Sequence, residues 1–405
     1  MKTSPRQLIL LCHVPTDAVN LGFLPAAKAM GLHVVLLTDT ADAHRRHFSQ
    51  TGLAACPDEI IACDVFNPLA VIDTVTSRAQ RPAAVFSNSD HLQTQAAVVA
   101  AYFGLPAKDW RTTYRSKNKA EMRRHLAALG MDMLWHAVVR REDELPPLLP
   151  QVPLPCVVKP REGVASQQVG LARDAAELQR LCSQVWQLQP GQPLLLEEYI
   201  EGPLYTLETL GDGRELRSLG GFRVTLSPPP HFIELEAVWG TRLPASTEAQ
   251  VLDTIRRFGV GFGACHTEFV MSATGPRLIE INYRSIGDYR EFLLCEALQV
   301  PLFEWVLRLA LGEPLPDAAV PDAAAWIRYF TAQQEGVLRT APPVRRQEQG
   351  GSRLQFQPLC NVGEQIRLSH SNKDYLGVLR GTAASHEQLA IAMDRASAEL
   401  HWEIG

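Results

Sequence analysis

His266-Thr267-Glu268-Phe269-Val270 and Arg277-Leu278-Ile279-Glu280-Ile281-Asn282-Tyr283-Arg284 read as two strands, apolar residues interrupted by polar ones. Residues two apart in a strand share a face, so Glu280, Asn282 and Arg284 project to one side. Two carboxylates, Glu268 and Glu280, and the amide oxygen of Asn282 are hard ligands of the kind Mg²⁺ takes, with substrate phosphates filling the rest of its shell. An arginine beside them suits the oxygens of a transferring phosphoryl group. Any single E-x-N-x-R triplet also arises on a solvated strand face with ordinary ion pairs, so its neighbours in the sequence must decide.

Upstream, Pro155-Cys156-Val157-Val158 is an apolar run ending at Lys159-Pro160, followed by the loop Arg161 to Val169. A cation at a strand end, beside a loop of backbone N–H groups and the hydroxyl of Ser166, suits phosphate. Lys119 lies near a predicted helix start, where the helix dipole gives a cation nothing and an anion elsewhere would. Leu194-Leu195-Leu196-Glu197-Glu198-Tyr199-Ile200 is an apolar strand ending in acids, and the backbone of such a hinge can bond an adenine edge. No Walker A, H-E-x-x-H or G-x-S-x-G pattern occurs.

The first 110 or so residues alternate apolar runs (7–12, 32–37, 60–63, 83–86) with a helical pattern through Leu24, Ala27 and Met30. That order predicts a doubly wound parallel sheet. The Gly-rich dinucleotide fingerprint is missing after the first strand, which disfavours a nicotinamide cofactor. Asn88-Ser89-Asp90-His91 closes a predicted strand at the sheet edge where ligands collect. Further on, the pattern predicts one amphipathic helix over 116–129, a β meander over 206–240, and a helix over about 248–258. The last 90 or so residues read as a short strand (325–330), a Pro/Gln/Arg-rich loop and a terminal helix (387–401).

A length of 405 residues suggests two or three packed units, and 46% hydrophobic with 20% charged residues is ordinary for a soluble protein. A net charge of −5 gives no electrostatic reason to expect nucleic acid. No uncharged apolar stretch approaches the ~20 residues of a bilayer span, and no secretory signal is evident. Eight scattered cysteines without a C-x-x-C pair read as reduced thiols, so a cytoplasmic location is expected.

Taken in order, these segments resemble the ATP-grasp superfamily, and within it the carboxylate–amine (amino acid and peptide) ligase branch. The matching pieces are Asn118-Lys119-x-x-Met122-Arg123, Val157-Val158-Lys159-Pro160 with Ser166, and Glu197-Glu198-Tyr199-Ile200-x-Gly202. They continue with His266-x-Glu268-Phe269 and Leu278-Ile279-Glu280-Ile281-Asn282-x-Arg284-x-x-Gly287-Asp288, and Pro230 to Leu235 looks like the branch's substrate-side strand. The likeness covers about residues 115–290. It implies an α/β protein: an N-terminal domain (1–112), a two-lobed α+β ATP-grasp domain with its phosphate lid in 113–200 and its Mg²⁺ site in 201–310, and a C-terminal extension (311–405).

The resemblance implies that Lys119 and Lys159 hold ATP phosphates under a lid carrying Ser166. Glu197 would receive the adenine amino group, with Glu198, Tyr199 and Ile200 forming the hinge. Glu268, Glu280 and Asn282 would hold Mg²⁺, two ions in all, and Arg284 with Lys159 would stabilise the reacting groups. His231, Glu234, Arg242 and Asp288 are the substrate-contact candidates. Two positions depart from the pattern: Gln168 stands where glycine is common, and Leu204 where many relatives carry a ribose-binding glutamate, a role Glu201 or Glu208 would have to take over. The expected function is an ATP- and Mg²⁺-dependent ligase that activates a small carboxylate as an acyl phosphate and couples it to an amine, as in specialised-metabolite or siderophore biosynthesis. A different acceptor, as in purine-pathway or carboxylating relatives, and a nucleotide-binding module without turnover are the alternatives. Small molecules, and by analogy a second copy of the chain, are the expected partners.

Overall fold

The computed structural model describes residues 5–240, 243–317 and 323–405. Four parallel strands open the chain: β1 (Gln7–Leu11), β2 (His33–Thr38), β3 (Glu59–Ala62) and β4 (Ala84–Phe86), in the order β3-β2-β1-β4. All five residues of β1 are buried, because helices cover both faces of a parallel sheet and leave no polar side. The loops after β1 and β4 carry His13, Asp17 and Asn88–His91 to the same end of the sheet and into a cleft.

The helix expected over 116–129 is two helices, Trp110–Lys117 and Lys119–Ala128. Asn118 breaks them with extended backbone (φ −89°, ψ 95°) and accepts from the Glu121 N–H at 3.3 Å, capping the second. Lys119 is the first residue of the second helix, in keeping with the helix start expected near it. Next comes an antiparallel sheet of β5 (His136–Val139), β6 (Cys156–Pro160), β7 (Gly170–Ala172) and β8 (Leu194–Glu198), ordered β5-β8-β6-β7. The helix Ala175–Leu188 closes one face, burying Leu178, Cys182 and Val185 against Val158, Leu194 and Leu196. Asp174 caps it through the Glu177 N–H at 2.8 Å.

The rest is organised by one sheet. Its strands are β9 (Leu204–Asp212), β10 (Leu216–Gly220), β11 (Phe222–Leu226), β12 (Glu234–Trp239), β13 (Phe262–Ser272) and β14 (Gly275–Asn282). β10 and β11 lie in succession along one edge of β9, joined at Gly220-Gly221. Gly221 has no alternative there, since a Cβ would stand 1.9 Å from the Thr206 carbonyl oxygen. The sheet runs on past residue 310 through β15 (Ala324–Thr331), and beyond the short β16 (Gly336–Thr340) it recruits β17 (Arg345–Gln349) and β18 (Ser352–Pro358). After β19 (Gln365–Ile366) it takes in β20 (Tyr375–Ala383), giving the order β14-β13-β9-β11-β12-β15-β20-β18-β17.

The stretch expected as a Pro/Gln/Arg-rich loop is thus largely a hairpin. Its β18 alternates buried Leu354 and Phe356 with more exposed residues, while β17 is polar on both faces and gives no strand signal. Helix Leu302–Ala310 packs between β4 and β13 and ties the parallel sheet to the large one in a single apolar core. Among the described residues no helix is long and apolar enough to cross a membrane.

Candidate active site

The face of β9, β13 and β14 and the four-stranded sheet enclose a cavity of about 180 Å³. Leu204, Leu226, Val270 and Ile279 make it apolar, Glu197–Ile200 form its hinge, and Lys119, Lys159 and residues 163–167 close one end. Lys159, on β6, reaches Glu197 on β8 at 2.5 Å, and Arg123 reaches the other oxygen of Glu197 at 2.6 Å. Burial alone would raise the Glu197 carboxyl, but Arg123 and Lys159 outweigh it and hold it at about 2. Burial lowers Lys159, partly countered by Glu197. Lys119 sits 2.8 Å from Glu280 and donates to the Gly163 carbonyl of the lid at 2.8 Å.

The lid, 161–169, holds Ala165, Ser166 and Gln168 at φ of 55°, 54° and 56°. That left-handed backbone favours glycine, and none of the three is one. Leu204 belongs to the apolar wall of the cavity and is buried. Glu208 does not replace the absent ribose acceptor. It is buried under β13, where it takes His266 at 2.8 Å and Thr206 at 2.8 Å. Glu201 likewise does not line the cavity.

Glu268 and Glu280 face each other directly across β13 and β14, with a bulge immediately after Glu268. Asn282 donates to Glu268 at 3.4 Å and His266 lies 3.2 Å from the same carboxylate. Burial would lower His266, but Glu208 and Glu268 overcome it and hold it at about 9. Cations of the protein thus sit on both acids. Among the described residues no three His, Cys, Asp or Glu converge on one point. The set is instead two carboxylates and an amide, which fits Mg²⁺ completed by phosphate and water.

A second, larger cavity of about 680 Å³ continues from the first toward the N-terminal sheet. Arg284 lies just past the end of β14 but still faces it, held by Asp90 at 2.6 Å. Burial raises Asp90, yet Arg284 prevails and keeps it at about 2. Glu234 is bound by Arg290 at 2.5 Å and by Asn372 at 3.1 Å, and Asp288 lies 3.8 Å from Arg290. His231 lines neither cavity; its ring stacks on His370 at 4.3 Å. Arg242 lies outside the described residues.

Sequence reasoning missed Asp17, Arg290, Glu291, Asn372 and Lys373, all of which line the larger cavity. For Arg290 and Glu291 the available signal was the pair of charges opening a largely apolar helix, Arg290–Leu298. Asn372 and Lys373 give no local signal.

No family model matches the chain. It is 25% identical over 412 residues to the uncharacterized protein y4rH of Sinorhizobium fredii, covering 98% of this chain and 83% of that protein. It is 28% identical over 344 residues to carnosine synthase 1 of Mus musculus, covering 74% of this chain; it spans only 41% of that relative's length. The crystal structure of L-amino acid ligase from Bacillus licheniformis superposes with a TM-score of 0.79 at 19% identity, over 99% of each chain. At that identity the likeness is one of fold, and it extends over the whole of both chains.

Proposed function

We propose, from the premise that the chain has the ATP-grasp fold of carboxylate–amine ligases, that it uses Mg²⁺-ATP to convert a small carboxylate to an acyl phosphate and passes the acyl group to an amine. The observation that carries this reading is a junction. Glu268, Glu280 and Val164–Ser166 of the lid line both cavities, so what binds in the apolar one meets what binds in the polar one at the metal acids.

Adenine fits between Leu204, Leu226, Val270 and Ile279, with the backbone of Glu198 and Ile200 along its edge. Lys119 turns from Glu280 to the phosphates, Lys159 meets them from its place beside Glu197, and Ser166 closes over them. Glu197 keeps Arg123 and orients Lys159. Glu268, Glu280 and Asn282 would hold Mg²⁺, which supplies neutralisation of phosphate charge. A carboxylate oxygen attacks the terminal phosphorus and ADP leaves with the electron pair of the broken P–O bond. The neutral amine nitrogen then attacks the acyl carbon, phosphate departs with the electron pair of the broken C–O bond, and the nitrogen gives its extra proton to solvent. Arg284, fixed by Asp90, offers its guanidinium to the oxygens that gain charge in both steps.

ADP release with Mg²⁺-ATP, measured against amino acids, polyamines and hydroxy- and polycarboxylic acids singly and in pairs, tests this. Turnover requiring both a carboxylate and an amine, and lost in Glu280→Ala and Lys159→Ala, is the expected result. Nucleotide binding without ADP from any pair would reduce the protein to a binding module.

A further inference from the structure

The larger cavity carries a buried acid that none of the roles above uses. Glu291, in the first turn of the helix Arg290–Leu298, is 2% exposed and lines the cavity. Its Oε2 has no hydrogen-bond partner among the described residues. A buried oxygen left unpaired costs about 1–3 kcal/mol, more when charged, so a donor from a ligand or its own proton must answer it. Two further acids share the wall. Asp17, at the start of the helix Ala18–Phe23, accepts from the Tyr289 hydroxyl, and Asp288 lies three residues before Glu291.

Three of the cations nearby are engaged elsewhere. Arg284 is held by Asp90 at 2.6 Å, Arg290 by Glu234 at 2.5 Å, and Arg380, from β20, by Glu296 at 2.9 Å. Tyr329 of β15 and Tyr375 of β20 donate to the carbonyls of Asp288 and Glu234, and Lys373 stands on the same cavity. Arg290 approaches Asp288 no closer than 3.8 Å.

We propose that Glu291, flanked by Asp17 and Asp288, seats a primary ammonium group of the acceptor substrate. Its role as acceptor rests on the ligase reading; the binding does not. A charged nitrogen with several N–H donors can answer the unpaired oxygen of Glu291 and bond a neighbouring acid as well. Burial, reinforced by Asp288 and opposed by Arg284 and Arg290, pushes the Glu291 carboxyl up to about 8. At neutral pH the free site therefore carries a proton on Glu291, and an arriving ammonium, by favouring the carboxylate, expels it to solvent.

Calorimetry at pH 7 in two buffers of different ionisation enthalpy measures that proton directly. The protein is saturated with Mg²⁺ and a non-hydrolysable ATP analogue, then titrated with glycine, histidine, 1,3-diaminopropane and, as controls, propionate and succinate. We expect an amine to bind with release approaching one proton. Glu291→Gln should weaken it at least tenfold and abolish the release, and Asp17→Asn, on a different element, should weaken the same probe. Amine binding indifferent to both substitutions, or a cavity that takes only the carboxylates, overturns the assignment. ADP release on the same samples separates the two readings. Turnover with an amine KM unmoved by Glu291→Gln keeps the ligase and removes this seat. Amine binding lost in the variant, with no ADP from the wild type, keeps the seat and removes the ligase.

Discussion

Lys159 and Arg123 hold the two oxygens of one carboxylate, that of Glu197, at 2.5 and 2.6 Å. The two cations have different obligations. Arg123 is buried and also donates to the carbonyls of Leu278 and Ile279, so it fastens the hinge strand β8 to β14. Lys159 has only Glu197 among the ion pairs of the described residues, and it faces the nucleotide cavity. Glu197→Ala leaves Arg123 with only the more distant Asp132, at 3.6 Å, and should destabilise the fold by up to about 3–5 kcal/mol. Lys159→Ala should cost much less stability and most of the ATP affinity. Denaturation curves and nucleotide titrations of the two variants check this. The Glu197 pKa near 2 lies below its unfolded value, so the unfolded chain binds more protons and the stabilisation present above about pH 4.5 is lost as pH falls toward 2.

Asp90 and Arg284 are 194 residues apart and come from different sheets, yet they meet at 2.6 Å. Arg284 also donates to its neighbour's carbonyl at 2.8 Å, so its guanidinium is fixed from two sides. Asp90→Asn keeps the shape and removes the charge that holds it. A misplacement of about 1 Å can cost on the order of 100-fold in rate. ADP release should therefore drop about 10- to 100-fold in kcat, with ATP binding unchanged because Asp90 does not line the nucleotide cavity. An equal loss of ATP affinity would mean Asp90 acts through the fold.

The parts of this site that were legible in the sequence are those set by local periodicity. Alternation in β14 put Glu280 and Asn282 on one face, and the apolar runs ending in Lys159 and Glu197 marked strands that stop at the cavity. The break at Asn118 was legible too, in the Asn-x-x-Glu spacing to Glu121, but the amphipathic pattern on both sides concealed it. What was not legible is tertiary. The partners Glu234, Arg290 and Asn372 are scattered over 138 residues of chain. Glu291 is distinguished only by burial and an unpaired oxygen. The polar strand β17 pairs because β18 and β20 beside it supply the apolar face.

Lys108 is half-buried and lines a small cavity together with Arg284, donating to Gln93 at 2.8 Å and to the Tyr283 carbonyl at 2.5 Å, with its ammonium over the Tyr283 ring. Burial lowers its pKa to about 7. The unfolded chain keeps this proton to about pH 10.4, so it binds more protons than the folded one in between, and this lysine's penalty, complete below pH 7, fades as pH rises. Buried thiols such as Cys12 and Cys265, pushed up to about 12, act oppositely above about pH 8.5. Comparison with Lys108→Met cancels them. Between about pH 7.5 and 9 the stability of the wild type relative to the variant should rise by on the order of 1 kcal/mol per pH unit. A flat difference would show that Lys108 stays charged.

Asn372 joins the lid to the C-terminal part of the large sheet. Its side chain exchanges two bonds with Glu234, both at 3.1 Å, while its backbone N–H donates to the Ala165 carbonyl of the lid at 3.1 Å. The lid residues it meets are strained, since each left-handed non-glycine costs about 1–2 kcal/mol. The lid as seen therefore depends on being held. Asn372→Ala removes two of the bonds to Glu234, which keeps Arg290, and loosens the segment that holds Ala165, so the KM for ATP should rise several-fold and trypsin should cut faster at Arg161 in the absence of nucleotide. Gln168→Gly acts on the other side of the balance, because glycine takes the φ of 56° without penalty. It should lower the KM for ATP and slow the cleavage. Opposite movements in the two variants identify the lid contact as the cause, whereas parallel ones would assign the effect of Asn372→Ala to the Glu234 network alone.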